Sequence, residues 1–392
     1  MAKGIDLSDT IVMTVFLAVF FSIYASLHTY VFLRARSALL FGLLPGIALA
    51  VVMGAMIVAP VLVRLSDTAG LDLCARVLAW IGYTWMGVLF IMICSLTVVD
   101  LYRLLLWIVR ATVRTDLSRL ALSGRGYFFL ALTLAAAIAV YGYFEALDIR
   151  INKVVVSTSK PLPEKNPLRI VLISDVHLGL TVRKERLSRI LDKVREARPD
   201  VLISTGDLVD GPTDRLRELG ELLAAIRADY GKFAVTGNHE FYAGLAQALA
   251  FTERAGFRVL RGEAVTAAGI VIVGIDDSAG PGYSPVKGIG ETELLARQPW
   301  DRFILVLKHR PVFLPHELGL FDLQLSGHVH GGQIFPFRLI TRLFFPYYMG
   351  LYNLANGSGL FVSRGSGTWG PPIRFLSPPE VTIIEIVHPT PR

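Results

Sequence analysis

The sequence predicts four transmembrane helices followed by a soluble α/β domain. Of its 392 residues, 53% are hydrophobic and 18% are charged, a balance outside the range of soluble globular proteins. The charge is also uneven, because residues 1–150 contain 11 Lys or Arg and 8 Asp or Glu, whereas residues 151–392 contain 28 and 24. Beyond residue 151, short apolar strand-like runs alternate with helical patterns, which indicates a layered α/β domain. We therefore place the boundary between the two regions near residue 150.

Residues 1–150 contain four apolar stretches that can each cross a bilayer, for which about 20 apolar residues are needed. The first stretch has no small-residue cleavage site before the second, so we expect a retained helix rather than a removable signal peptide. Ionisable residues are nearly absent inside the stretches, which is typical of an anchor and not of a transport path. His28, near the end of the first stretch, is typical of an interfacial side chain. The predicted spans are residues 10–33, 38–63, 74–99 and 126–147.

Between the third and fourth spans, residues 100–125 interleave Arg with Leu, Trp and Val. This mixture predicts an amphipathic helix that lies at the lipid headgroups. The alternative is a third helix that continues past the bilayer.

Basic residues flank the four spans unequally, which predicts an orientation. One side has only Lys3, Arg64 and Arg76 before the soluble domain begins. By the positive-inside rule the richer side is cytoplasmic, and an even number of spans then places the soluble domain outside the cytoplasm. The asymmetry nearly disappears if the three basic residues just after the fourth span are counted. The richer side carries Arg34, Arg36, Arg110, Arg114, Arg119 and Arg125.

Residues 151–168 are predicted to be a linker, which begins with a β-branched, strand-like run and then becomes polar. Three prolines restrict this part of the chain. We assign residues 169–392 to the soluble domain, with helices at 184–197 and 214–230. Its predicted strands are 169–174, 201–205, 232–237, 269–275, 303–308 and 323–327.

Five of the predicted strands are each followed at once by residues that can bind metal ions. The carboxyl ends of strands in α/β folds converge on one crevice, so these residues are expected to meet. Carboxylates, imidazoles and an amide carbonyl are ligands of divalent ions such as Mn, Fe or Zn. Each motif occurs by chance in many chains, but five at successive strand ends do not. The motifs are Asp175-Val176-His177, Gly206-Asp207, Gly237-Asn238-His239-Glu240, His309, and Gly327-His328-Val329-His330.

A carboxylate of the second motif can bridge two ions about 3.5 to 4 Å apart, and such a pair activates water and clamps phosphoryl oxygens. Two nearby carboxylates have less certain roles. Asp210 either orients a ligand as a hydrogen-bond acceptor or caps a helix. Glu240 either orients His239 or lies on the surface. We expect no catalytic role for His316.

The motif order DVH, GDLVD, GNHE, KHRP, GHVHGGQ resembles that of the calcineurin-like metallophosphoesterase superfamily, over residues 168–388. The segments GHVHGGQIFPF and LFVSRGSGTWGPPIRFLSPPEVTIIEI are similar to the YkuE/YaeI-type bacterial branch, whose members are membrane-associated or exported. This resemblance implies a four-layer α/β/β/α sandwich. It also implies a bacterial inner-membrane location, with several spans.

The same resemblance implies two bound metal ions and a role for each site residue. Asp207 bridges the ions. His239 is a catalytic residue that binds no metal and contacts the phosphoryl oxygen or protonates the leaving group, for which its pKa is suitable. The ligands of the first ion are Asp175, His177 and His330, and those of the second are Asn238, His309 and His328.

Together these inferences predict a membrane-anchored, two-metal enzyme that hydrolyses phosphoester or pyrophosphate bonds. A lipid-linked substrate is a narrower form of this prediction, because residues 334–352 mix aromatic and basic residues typical of contact with the bilayer. The alternative is that these aromatic residues fill the core of the domain. One alternative is an enzyme of lipid A assembly similar to UDP-2,3-diacylglucosamine pyrophosphatase, which needs a cytoplasmic domain. Another is a membrane protein that senses a phosphate ligand without turnover. The net charge of +7 is spread over both regions, which argues against a nucleic-acid partner.

Overall fold

The computed structural model describes residues 7–113, 116, 120–162, 167–279 and 289–388, without the side chains of residues 7–13 and 16. It divides the chain into a first unit, Met1–Tyr141, and a second unit, Gly142–Arg392. Lys3, Arg114 and Arg119, used above to predict the orientation, lie outside the described residues.

The first unit consists of helices long and apolar enough to cross a bilayer, which confirms the prediction of four spans. Their outward surfaces are rich in exposed Leu and Val, as hydrocarbon contact requires. The helices are α1 (Leu7–Leu39), α2 (Leu43–Thr68), α3 (Asp72–Val113) and α4 (Gly124–Glu145).

Helix α3 is 42 residues long, which exceeds the need of a single span. At about 1.5 Å per residue it measures roughly 60 Å, twice the thickness of the hydrocarbon core. The prediction of a separate interfacial helix is therefore wrong for residues 100–113, which continue α3. The reason is local, because no Gly or Pro interrupts residues 101–113. Asp100, within this helix, forms an ion pair with Arg34 at 2.8 Å.

His28 is buried inside the first unit and is not interfacial as expected, because α1 extends eleven residues beyond it. Its Nδ1 atom lies 2.8 Å from the carbonyl oxygen of Tyr24, and its Nε2 atom accepts a hydrogen bond from Trp85 Nε1 at 2.8 Å. The ring therefore joins α1 to α3.

The second unit contains two six-stranded sheets. The first has the order β1-β12-β2-β3-β4-β5 and the second β10-β11-β9-β8-β7-β6. Neighbouring strands are parallel except β12–β2, β10–β11 and β6–β7. The strands are β1 (Arg150–Ser157), β2 (Leu168–Ile173), β3 (Val201–Ser204), β4 (Lys232–Ala234), β5 (Arg258–Val259), β6 (Glu263–Ala267), β7 (Ile270–Ile275), β8 (Ile304–Lys308), β9 (Leu323–Ser326), β10 (Gly350–Asn353), β11 (Gly359–Val362) and β12 (Glu380–Val387).

The sheets pack face to face, and helices cover their outer faces, so the unit has the predicted four layers. Apolar side chains of both sheets, such as Ile170 and Leu305, share one buried cluster between the sheets. A second cluster joins the first sheet to α5, α6 and α8, and a third joins the second sheet to α9. The helices are α5 (Lys184–Ala197), α6 (Arg217–Ala224), α7 (Asn238–Ala243), α8 (Leu245–Arg254), α9 (Glu291–Ala296) and α10 (Phe337–Phe344).

Two elements extend or differ from the sequence expectation. The strand expected at the start of the linker is β1, which pairs with β12 from Arg150↔Glu380 to Ser157↔Val387. The β-branched run at its end is therefore an edge strand of the first sheet. Helix α6 is shorter than the predicted 214–230, because the chain leaves the helix at Ala225 and turns at Gly231, whose φ is +101°.

Candidate metal centre

The predicted ligands lie in turns that directly follow five strands of the two sheets. Strands β2, β3 and β4 of the first sheet lead to Asp175, Asp207 and Asn238. Strands β8 and β9 of the second sheet lead to His309 and His328. The site is thus built at the carboxyl ends of strands, where a crevice forms in α/β folds.

A first cluster of potential metal ligands consists of Asp175, His177 and His330, all buried. The Nε2 atoms of His177 and His330 lie 3.1 Å apart, and His330 Nε2 is 3.4 Å from an oxygen of Asp175. Two ligands at about 2.1 Å from one ion and at right angles are about 3 Å apart. The spacing therefore suits three ligands of a single ion.

A second cluster consists of Asp207, His309 and His328. His309 Nε2 lies 3.1 Å from Asp207 Oδ2 and 3.2 Å from His328 Nδ1. The same oxygen of Asp207 is 3.8 Å from His177 Nε2, in the first cluster. Asp207 therefore faces both clusters, as a carboxylate that bridges two ions must.

The side-chain oxygen of Asn238 is buried and has no hydrogen-bond partner among the described residues. Its neighbours in sequence, Gly237 and His239, both contact Asp207: His239 N–H donates to Asp207 Oδ1 at 2.8 Å, and a Cβ on Gly237 would lie 2.2 Å from the same oxygen. An unpaired buried oxygen costs about 1–3 kcal/mol, which a cation would offset. The donor set and this orphan oxygen therefore fit divalent metal ions.

A hydrogen bond on the far side of one imidazole ring directs its Nε2 atom into the second cluster, because His309 Nδ1 lies 2.8 Å from the carbonyl oxygen of Thr205. His177 Nδ1 faces Asp210 Oδ1 at 3.5 Å and has no hydrogen-bond partner among the described residues. A proton on Nδ1 leaves the Nε2 lone pair free for an ion.

His239 stands beside the first cluster, with its ring perpendicular to that of His177 at a centroid distance of 4.7 Å. Its Nδ1 atom is 2.6 Å from Asp210 Oδ1, which leaves Nε2 available to a substrate. Burial alone lowers the pKa of His239, but the hydrogen bond to Asp210 and the charge of Asp207 outweigh it and raise the pKa to about 9. The ring is therefore a proton donor at neutral pH.

The two carboxylates with uncertain roles have defined contacts. Asp210 Oδ1 lies 2.6 Å from His239 Nδ1 and 3.5 Å from His177 Nδ1, so it orients the ring of His239 and faces that of His177. Glu240 is buried, and it accepts hydrogen bonds from the backbone N–H groups of Asp207 at 3.0 Å and Gly237 at 2.6 Å. The expectation of a surface carboxylate is therefore wrong, since Glu240 is buried and fixes the Asp207 turn.

Burial and neighbouring charges set the protonation of the imidazoles. Burial and the positive charge of His309 lower the pKa of His328 to about 3. Burial and the guanidinium of Arg374 lower the pKa of His330. Burial also opposes a charged His309, but Asp207 outweighs it and raises the pKa to about 10. An ion would displace that proton, because a ligating imidazole is neutral.

Backbone strain is concentrated at the site. Eleven non-glycine residues in the described part of the chain have positive φ, and five of them are predicted ligands. Such a conformation costs about 1–3 kcal/mol for each residue and persists where the surroundings enforce it, as at binding sites. The five are Asp175 (52°), His177 (55°), Asp207 (51°), His328 (72°) and His330 (50°).

Sequence reasoning missed several residues of the site. Arg374 is fully buried, and its guanidinium donates to the carbonyl oxygens of Arg364 at 2.7 Å and His330 at 3.1 Å. The exposed rings of Tyr242 and Trp369 lie 5.4 and 5.8 Å from the ring of His239. The only sequence signal for Arg374 was its place as a lone Arg in the stretch GPPIRF. Hydrophobic periodicity predicts helices and strands, but it does not predict which loops cover a site.

The comparisons with known proteins agree with this geometry. A family model described as calcineurin-like phosphoesterase matches residues 168–332, which include all seven predicted ligands and His239. An uncharacterized metallophosphoesterase of Aquifex aeolicus is 41% identical over 255 residues, which cover 64% of this chain and 97% of that protein. A transmembrane protein with metallophosphoesterase domain of Danio rerio is 34% identical, covering 65% and 61%. The uncharacterized metallophosphoesterase YkuE of Bacillus subtilis is 30% identical, covering 63% and 89%.

Proposed function

The chain belongs to the calcineurin-like metallophosphoesterase family, and on this premise we propose that it hydrolyses phosphoester or pyrophosphate bonds with two divalent metal ions held around Asp207. The observation that carries the proposal is the position of Asp207 Oδ2, 3.1 Å from His309 and 3.8 Å from His177. One carboxylate oxygen thus faces a ligand of each cluster.

The proposed ligand sets follow the two clusters. Asp207 is shared between the ions, and Asn238 joins the second set because its side-chain oxygen has no partner among the described residues and its neighbours in sequence both contact Asp207. Imidazole, carboxylate and amide donors suit Mn, Fe or Zn. The first set is Asp175, His177 and His330, and the second is Asn238, His309 and His328.

When bound, two such ions lower the pKa of a water molecule and offset the negative charge of a phosphoryl group. The protein supplies the remaining functions. His239 holds a proton on Nε2 for the leaving oxygen, while Asp210 fixes its ring through Nδ1. Glu240 holds the Asp207 turn through backbone N–H groups, so the shared carboxylate keeps its position. Tyr242 and Trp369 flank the leaving group.

We propose further that the substrate is linked to a lipid and that the second unit lies outside the cytoplasm, in a bacterial inner membrane. The arginine distribution supports this orientation, and four apolar helices support a membrane location. A fluorescent or phosphatase reporter fused after Arg392 tests the orientation. A reporter that is active only in the cytoplasm would reverse it and would favour the pyrophosphatase of lipid A assembly.

The activity is tested with the purified full chain loaded with Mn, Zn or Mg. Phosphomonoesters, phosphodiesters and nucleotide-linked lipids are offered in detergent or nanodiscs, and release of the product is measured. We expect metal-dependent turnover of at least one class. Two bound ions without turnover of any of them would instead favour a sensor of phosphate ligands.

A further inference from the structure

Helix α10 exposes an apolar face to its surroundings. Leu343 is 81% exposed, Phe344 is 74% and Leu339 is 55%, and Phe337 and Ile340 are also exposed. At 100° per residue these five side chains cover one contiguous face, and the arginines at 338 and 342 cover another. A scattered exposed Leu is ordinary on a soluble protein, but a contiguous apolar face marks a contact surface.

The residues just beyond α10 pack into a buried apolar cluster, which anchors the helix. Phe345 and Tyr347 lie against a buried cluster formed by Val329, Leu360 and Val362. Residues 334–352, which the sequence marked as one aromatic and basic segment, therefore have two parts. The residues just beyond α10 fill the core, whereas α10 itself does not.

The basic residues of α10 suit phosphate groups. Arg342 stacks on Tyr348 with its guanidinium 5.3 Å from the ring, and no carboxylate among the described residues pairs with it. Arg338 lies over Phe335 at 5.0 Å and donates to the carbonyl oxygen of Leu376 at 2.8 Å. Apolar side chains beside cations are the composition of helices that lie in a lipid interface.

Within the second unit, α10 lies next to a turn that carries a predicted ligand. A Cβ on Gly332 would be 2.4 Å from the Cα of Arg338, so α10 packs directly on the turn that begins at His330. On the other side of this turn, Arg374 donates from Nη1 to the His330 carbonyl at 3.1 Å.

The same Arg374 also contacts the end of a spanning helix. Its backbone N–H donates to the carbonyl oxygen of Gly142, in the last turn of α4, at 2.9 Å. A Cβ on Gly142 would lie 2.6 Å from the Arg374 carbonyl oxygen, so the packing there is close. Within the second unit, Arg374 therefore links the His330 turn to Gly142, in the last turn of α4.

We propose that α10 lies in the interfacial layer of the bilayer, with Leu339, Leu343 and Phe344 among the acyl chains and Arg342 at the lipid phosphates. The bilayer is the occupant because α4 ends one contact away from the His330 turn, and because only residues 146–149 connect α4 to β1. The lipid contact requires no catalysis. A further role of α10, the delivery of a lipid-linked phosphoester to the metal site, rests on the function proposed above.

The test uses the full chain in nanodiscs, with Cys74 and Cys94 replaced by Ser. A cysteine at Leu343→Cys or Phe344→Cys carries a fluorophore, and the lipids carry a quencher on the acyl chain. Trp300→Cys is the control, because Trp300 is 84% exposed and lies in a turn far along the chain from α10. We expect several-fold stronger quenching at both α10 positions than at Trp300.

Two results would overturn the proposal. One is equal quenching at α10 and Trp300, and the other is weak quenching at α10 with crosslinking between copies through Leu343→Cys, which would make the face a protein interface. Both positions are highly exposed, so their substitution leaves folding intact, and metal content checks this. A parent protein that binds lipid through α10 but hydrolyses no ester would refute the proposed function and leave the lipid contact standing.

The link to the substrate has its own measurement. The pair Leu343→Ser and Phe344→Ser should lower turnover of a lipid-linked ester about tenfold or more, with little change for a small water-soluble ester. Trp300→Ser is the matched control, and it should change neither rate. Equal losses on the two esters would show that α10 does not deliver substrate.

Discussion

His28 in the first unit and His309 in the second are both buried histidines, with 2% and 0% of their surfaces exposed, yet their rings meet different partners. Both ring nitrogens of His28 contact protein groups, the Tyr24 carbonyl and the Trp85 indole N–H. His309 has such a partner on Nδ1 alone, and its Nε2 faces His328 and Asp207. The partners, and not the burial, therefore identify the ligand histidine.

The same contrast separates the two units as a whole. Asp100 in the first unit pairs with the guanidinium of Arg34 and accepts a hydrogen bond from the hydroxyl of Tyr30 at 3.0 Å. In the second unit, carboxylates and imidazoles converge on Asp207, the side-chain oxygen of Asn238 has no partner among the described residues, and five predicted ligands in three turns have positive φ. Polar groups of the first unit hold helices together, whereas those around Asp207 in the second unit form a set of potential metal ligands.

The largest effect is expected for Asp207→Asn, because this side chain faces both clusters. Turnover should fall to background, and the content of both ions should fall together. Metal analysis by mass spectrometry beside a rate assay measures this. A variant with two ions and a near-normal rate would show that Asp207 does not bridge.

His239→Ala should reduce the rate by about 10² to 10⁴, the usual contribution of a positioned acid. Both ions should remain, because His239 is not a ligand in this account. Loss of metal in this variant would place His239 among the ligands. Tyr242→Phe is the matched control: it keeps the ring beside His239, and we expect its metal content to stay unchanged.

Removal of the ions with a chelator should destabilise the second unit and leave the first unchanged. An ion present at 100 times its dissociation constant stabilises a fold by about 2.7 kcal/mol, which shifts the melting temperature of a unit of this size by about 5–10 °C. Calorimetry of the full chain in nanodiscs resolves the two transitions. A chelator that shifts both transitions, or neither, would show that the ions do not stabilise the second unit alone.

His28→Ala should act on the first unit alone. It leaves the Trp85 indole N–H without its acceptor, and hydrogen bonds between membrane helices contribute about 0.6 to 2 kcal/mol. We expect slightly lower thermal stability, with unchanged metal content and rate. If turnover were lost in a folded variant, His28 would have a function that its satisfied hydrogen bonds do not indicate.

Much of the fold was predictable because local signals agreed with the tertiary structure. Helix α5 has its predicted bounds, Lys184–Ala197, because Leu187, Ile190, Leu191 and Val194 form one buried face. The clusters were predictable because each ligand directly follows a strand. The role of Glu240 was not, since a carboxylate that bonds backbone N–H groups 31 to 33 residues away has no local signature.

The surroundings of Arg374 and the pairing of β1 could also not be predicted from local sequence. Burial of a guanidinium among five carbonyl contacts depends on loops that only the folded chain brings together. The pairing of β1 with β12 joins residues 230 positions apart, so the β-branched run indicated a strand but not the sheet that it joins.

Anomalous X-ray diffraction from crystals of the metal-loaded full chain shows whether Asp207 lies between two metal ions. We expect two anomalous peaks about 3.5 to 4 Å apart, one beside His177 and His330, the other beside His309 and His328, with Asp207 between them. A single peak, or peaks away from Asp207, would contradict this expectation.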